Sequence, residues 1–133
     1  MKTDLNKTLE QLENEVWKEP GYNSSLVITT FNLRKKPLKD YTIADLRISI
    51  GQNFGLVYLI PLAIEALKRN IMAEGDHYEG DLLNMVLNSD VEYWKTHKTE
   101  WTTVKDLCEK NRASFGDDKQ IRQGFEKFEK ING

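Results

Sequence analysis

Apolar residues recur along this chain at the spacing of helices rather than strands. Leu5, Leu9, Leu12 and Val16 stand four, three and four positions apart, which predicts one apolar stripe with Glu10, Glu13 and Glu15 facing water. Trp17 is expected to fold over the end of that helix, and Glu19-Pro20-Gly21-Tyr22 to break it. Ser24 or Ser25 can then cap a second element, Leu26 to Arg34. Its run Leu-Val-Ile-Thr-Thr-Phe is rich in β-branched residues and would suit a strand by propensity. Two features favour a helix. Leu26, Phe31 and Leu33 do not alternate cleanly with polar residues, and Arg34-Lys35-Lys36 sits just before Pro37, where a helix C-terminus attracts cations.

Thr42-Ile43-Ala44-Asp45 reads as a capping box in which Asp45 takes the place of the usual Glu or Gln. The helix it opens turns Ile43, Leu46 and Ile50 inward and stops near Gly51. Leu56 to Leu67 is the most apolar part of the sequence and is expected to be the central buried helix. Pro61 must either kink that helix or open its main part after a short turn, because it has no N–H to donate. Glu74 to Asp81 is a polar loop with two glycines, and Asp81 or a neighbour caps Leu82, Leu83, Met85, Val86 and Leu87. Asp90 caps a short turn through Tyr93 and Trp94. Trp101, Val104, Leu107 and Cys108 carry a helix between about Glu100 and Phe115, and Ile121, Phe125 and Phe128 carry the last one, from Asp117-Asp118. The expected fold is all-α: one compact bundle of six or seven short helices.

Length and composition fit that picture. The 133 residues make one domain, residues 1–133, large enough to bury a core without staples. Cys108 is the only cysteine, so no intramolecular disulfide and no cysteine-based zinc site can form. A lone thiol suits a reducing compartment. Met1 to Lys7 carries charges where a signal peptide would need an apolar run, and the stretch from Leu56 to Leu67 is too short to span a bilayer. The expected location is the cytoplasm, with no membrane contact.

The formal net charge is −2, but residues 72–101 hold seven carboxylates against Lys95 and Lys98, while the other three stretches, 1–36, 37–71 and 102–133, are each one charge positive. Phosphate backbones need a basic face, so direct nucleic-acid binding is not expected. An acidic stretch suits docking to a basic protein. Glu74, Asp76, Tyr78, Glu79, Asp90 and Glu92 are therefore the candidate partner-binding residues.

Catalytic chemistry finds little to work with. Only His77 and His97 could serve as a base, and Cys108 falls on the apolar stripe of its helix, as a buried small hydrophobe would. No catalytic residue or cofactor is expected. Gly51-Gln52-Asn53-Phe54-Gly55 has too few glycines and no preceding strand to cradle phosphates. Four carboxylates and His77 between Glu74 and Asp81 could hold a hard cation, yet the spacing is not that of an EF-hand. The reading preferred for this stretch is a turn whose glycines permit positive φ and whose Asp81 caps a helix, so no metal is expected. Trp17, Tyr22, Tyr58, Tyr93, Trp94 and Trp101 read mostly as core or edge packing, Tyr78 as the exposed one. Arg34-Lys35-Lys36 reads as a solvated helix end.

The order of several segments carries a resemblance. Leu9-Glu10-Gln11-Leu12-Glu13, Leu33-Arg34-Lys35-Lys36-Pro37-Leu38, Thr42 to Arg47, Gly55 to Ala63, Glu74 to Leu83 and Tyr93-Trp94, taken together, resemble the contact-dependent growth inhibition (CDI) immunity proteins of bacteria. The resemblance runs from about residue 8 to residue 94 and leaves 95–133 unmatched. It implies a cytoplasmic, non-enzymatic protein that binds the toxic C-terminal domain of a cognate effector and blocks its active site. It further implies that this partner is a basic nuclease, frequently a ribonuclease. The competing expectation is a small helical adaptor or regulatory domain that binds some other protein.

Overall fold

In the computed structural model, residues 4–18 and 25–133 are described. The expected break at Glu19-Pro20-Gly21-Tyr22 and the cap at Ser24 lie outside these residues. Everything regular among them is helical: α1 Leu9–Glu13, α2 Ser25–Leu33, a 3-10 turn Leu38–Asp40, α3 Ile43–Gly51, α4 Leu56–Arg69, α5 Asp81–Leu87, α6 Val91–Thr96, α7 Lys98–Lys110, α8 Arg112–Phe115 and α9 Lys119–Lys130. The all-α expectation holds. Six of these helices have seven residues or more, and the short α1, α6 and α8 raise the total.

The helix starts follow local chemistry. Thr42 Oγ1 accepts from the Asp45 backbone N–H at 3.1 Å, and the Asp45 carboxylate accepts from the Thr42 N–H at 3.0 Å, so the capping box forms with Asp in the usual Glu place. Asp118 caps α9 by accepting from the Ile121 N–H at 3.0 Å, and Asp90 caps α6 by accepting from the Glu92 N–H at 3.2 Å. Helix wins over strand for α2. There Thr30 turns its hydroxyl back to the Leu26 carbonyl at 2.8 Å, a bond available only to a helical threonine. Pro61 lies within α4, on its exposed side, and neither ends nor restarts the helix. Its missing N–H leaves only the Val57 carbonyl, on an exposed turn, without its usual intrahelical donor.

α1 departs from expectation. It stops at Glu13 because Asn14 adopts the left-handed conformation (φ 53°), and only Leu9 of the four-residue stripe is buried. Val16 is 73% exposed. The chain beyond Asn14 is drawn instead onto Arg34, as described below.

Packing is organised around α4. Helices α3, α5, α9, α7 and α4 form a closed circuit of neighbours, and α4 also touches α5 across it. The enclosed core includes Leu9, Ile50, Leu59, Ile60, Leu82, Leu83, Trp94, Val104, Phe125 and Phe128, all nearly inaccessible to solvent. The C-terminal residues are integral to it. Trp94 meets Phe128 edge to face at 4.9 Å, and the Trp101 indole N–H donates to the Phe128 carbonyl at 2.8 Å. Each such buried aromatic contributes the largest apolar area of any residue type, with a pair energy of about 0.5–1.5 kcal/mol on top.

A pinned acidic loop as the candidate functional site

The loop from Glu74 to Gly80 is organised by one side chain. Asp81 is fully buried, and its carboxylate accepts from three backbone N–H groups: Gly75 at 2.6 Å, His77 at 3.0 Å and Tyr78 at 3.2 Å. Arg47, from α3, donates to the Gly75 carbonyl at 2.6 Å and stands 3.6 Å from the second carboxylate oxygen of Asp81. This corrects the expected role of Asp81. The helix N-cap is Gly80, at φ 86°, and Asp81 is the first helical residue, turned back to hold the loop. A buried carboxylate must find donors, and the loop's own amides are the donors at hand.

The glycines also divide their work differently from expectation. Gly80 takes the positive φ, whereas the left-handed position inside the loop belongs to Asp76, at φ 68°. Gly75 is required by proximity: a Cβ there would stand 3.0 Å from the Ile43 carbonyl oxygen and 3.2 Å from the Cα of Ala44. The loop is thus pressed against the first turns of α3.

Glu74, Asp76 and Glu79 are exposed on this frame, as is His77. None of the three carboxylates takes part in an ion pair among the described residues. Tyr78 is not the exposed residue expected. It is half-buried, packs edge to face on His77 at 5.2 Å, and its hydroxyl accepts from the Asn84 amide at 2.7 Å. Among the described residues no group of three or more His, Cys, Asp or Glu side chains is arranged to hold a metal ion.

Asp90 and Glu92 do not join this loop. α5 runs parallel to α3, with the loop at the start of both, and Asp90 meets Asn53, just past the end of α3, through a 2.9 Å bond. The nine residues of α3 therefore separate the two acidic sites by about 13 Å along its axis. Asp90 and Glu92 instead line a groove of about 550 Å³ together with Glu13, Val57, Tyr58 and His97.

The remaining reactive groups are turned inward. The Cys108 side chain is fully buried, which pushes its thiol up to about 12 and leaves it protonated and unreactive. Burial, then the adjacent Glu100 carboxylate, raises the Tyr93 hydroxyl well above its ordinary value, and that hydroxyl donates to Glu100 at 3.0 Å.

Arg34-Lys35-Lys36 is not a solvated helix end. Arg34 is 1% exposed, pairs with the Glu13 carboxylate, donates to the Glu15 carbonyl at 2.9 Å and stacks on Trp17 at 4.2 Å. Lys35 reaches Glu10 at 3.1 Å and Lys36 reaches Asp45 at 2.6 Å. Sequence reasoning missed Arg47 and Arg34 as structural centres. Their partners lie 34 and 21 positions away in the chain, beyond any local pattern.

The described residues thus form an all-helical scaffold with its one thiol buried and a pinned loop that carries three carboxylates outside any ion pair. The profile of one family, described as CDI immunity proteins, matches residues 11–104, and the chain belongs to that family. No curated protein and no solved structure matches it. No helix among the described residues is long and apolar enough to cross a membrane.

Proposed function

We propose that this protein neutralises the toxic C-terminal domain of a cognate CDI effector by stoichiometric binding in the cytoplasm, without catalysing a reaction. Membership of the CDI immunity proteins over residues 11–104 is the observation that carries this reading. The partner is a basic nuclease domain whose substrate cleft is blocked. A cleft that binds phosphates must be positive, and a carboxylate-rich surface occupies it as a phosphate mimic. Glu74, Asp76 and Glu79 supply that charge, and the 133-residue chain folds as one domain behind them.

Two physical features support the loop as the docking element. Its carboxylates are not neutralised within the fold, so their field reaches outward and accelerates encounter with a basic partner. Its backbone is held by Asp81 and Arg47, so little ordering entropy remains to be lost on binding. Asp90 and Glu92 form a second acidic site about 13 Å away along α3. An interface of about 800 Å² per partner, some 30 Å across, can reach both.

The test is reconstitution with the C-terminal domain of the cognate CDI effector. Equimolar protein is expected to abolish cleavage of RNA or DNA by that domain, with association slowing as salt rises. A toxin domain that stays fully active under excess of this protein would overturn the reading.

A further inference from the structure

We infer that the groove between the first turn of α4 and helix α6 receives a lysine or arginine side chain of the toxin domain. This rests on the neutralising function above and adds to it a second, chemically distinct contact. The groove, about 550 Å³, is lined by Glu13, Asn53, Val57, Asp90, Glu92 and His97 among others, and no lysine or arginine lines it. Val57, in that lining, is 55% exposed, and Leu56, Tyr58 and Tyr93 line the groove with it. Single exposed valines are ordinary on a protein surface. Here the exposed valine shares a groove with Asp90 and Glu92, which gives that groove an apolar wall and an acidic side.

That combination matches one kind of side chain. Lysine and arginine carry an apolar stem and a charged head, and they bury the first while the second seeks a counter-charge. The stem lies along Val57 and the head meets Asp90 and Glu92. Asp90 takes part in no ion pair among the described residues. Glu92 pairs with Lys95 at 3.6 Å, but both side chains are more than half exposed, so that contact is weak and exchangeable. Glu13 is different: it is committed to Arg34 and serves as wall. His97 is wall as well: its Nδ1 lies 2.8 Å from the Tyr93 carbonyl oxygen, which can only accept, so Nδ1 carries a proton and donates it within the fold.

Two variants test the groove against the purified cognate toxin domain. In Asp90→Asn/Glu92→Gln the charge is removed while asparagine still caps α6, so the fold is retained. Val57→Lys instead places a cation in the groove from within. Each is expected to raise Kd at least about tenfold, chiefly through faster dissociation, with the melting temperature held within a few degrees. If both variants bind within about threefold of wild type while wild type binds and inhibits, the groove assignment is overturned and neutralisation stands. If wild type itself does not bind the domain, both fall together.

Discussion

Residues 34–36 carry three positive charges in a row, and residues 74–79 carry three negative charges in six positions. On the page of the sequence the two runs look like counterparts. In the folded chain Arg34, Lys35 and Lys36 each meet a carboxylate, from Glu13, Glu10 and Asp45 in turn, and the run ties α2 to α1 and α3. Glu74, Asp76 and Glu79 meet no cation among the described residues, and the loop that bears them is held from beneath by Asp81. The lesson concerns surplus. Charge that the fold neutralises serves the fold, and charge left free on a rigid frame is available to a partner.

Four variants break or sharpen that contrast. The largest effect is expected at the concealed support of the acidic loop. Asp81→Ala strips three backbone N–H groups of their acceptor and leaves Arg47 beside an empty position. It should cost about 3–5 kcal/mol, read as a drop in urea midpoint, with the loop amides losing hydrogen-exchange protection first. Arg34→Ala comes next. It removes the ion pair to Glu13, the bond to the Glu15 carbonyl and the stack on Trp17 together. Because Glu13 is partly solvated and can rehydrate, the loss should be about 2–3 kcal/mol in the same measurement.

The triple change Glu74→Gln/Asp76→Asn/Glu79→Gln should leave stability within about 0.5 kcal/mol, since it removes no contact the fold uses. Its effect belongs in stopped-flow association with the toxin domain, where the rate at low salt should fall about tenfold and lose most of its salt dependence. Normal association by the triple variant would dissolve the distinction between the two runs. The smallest change is expected for Lys35→Gln, whose ion pair with Glu10 is half exposed. A thermal melt should shift by no more than about 0.5 kcal/mol equivalent, with association unaltered.

The same contrast marks how far the sequence could be read. The capping box at Thr42, the cap at Asp90, the start of α9 at Asp117-Asp118, and the apolar faces of α3, α4 and α9 are written in residues close together in the chain, and all formed as read. The first helix was not legible in the same way. Its stripe from Leu5 to Val16 was continuous, yet Asn14 ended it and Arg34 claimed the residues beyond. α7 and α8 read as one run and are parted at Asn111, whose side-chain amide donates to the Leu107 carbonyl at 2.8 Å. Of the candidate residues, the sequence located the acidic stretch. It did not show that α3 holds Asp90 and Glu92 apart from the loop, or that Tyr78 is committed to Asn84.

By itself the sequence determined the helical class and most helix boundaries, because these depend on periodicity and on hydrogen bonds that close within a turn. It also disclosed the family, through motifs kept in order from about residue 8 to residue 94, and the family match runs beyond them, to residue 104. Only the tertiary structure decided which charges are spent inside the fold. The energy of an ion pair depends on separation and solvent exposure, and neither is fixed by distance along the chain.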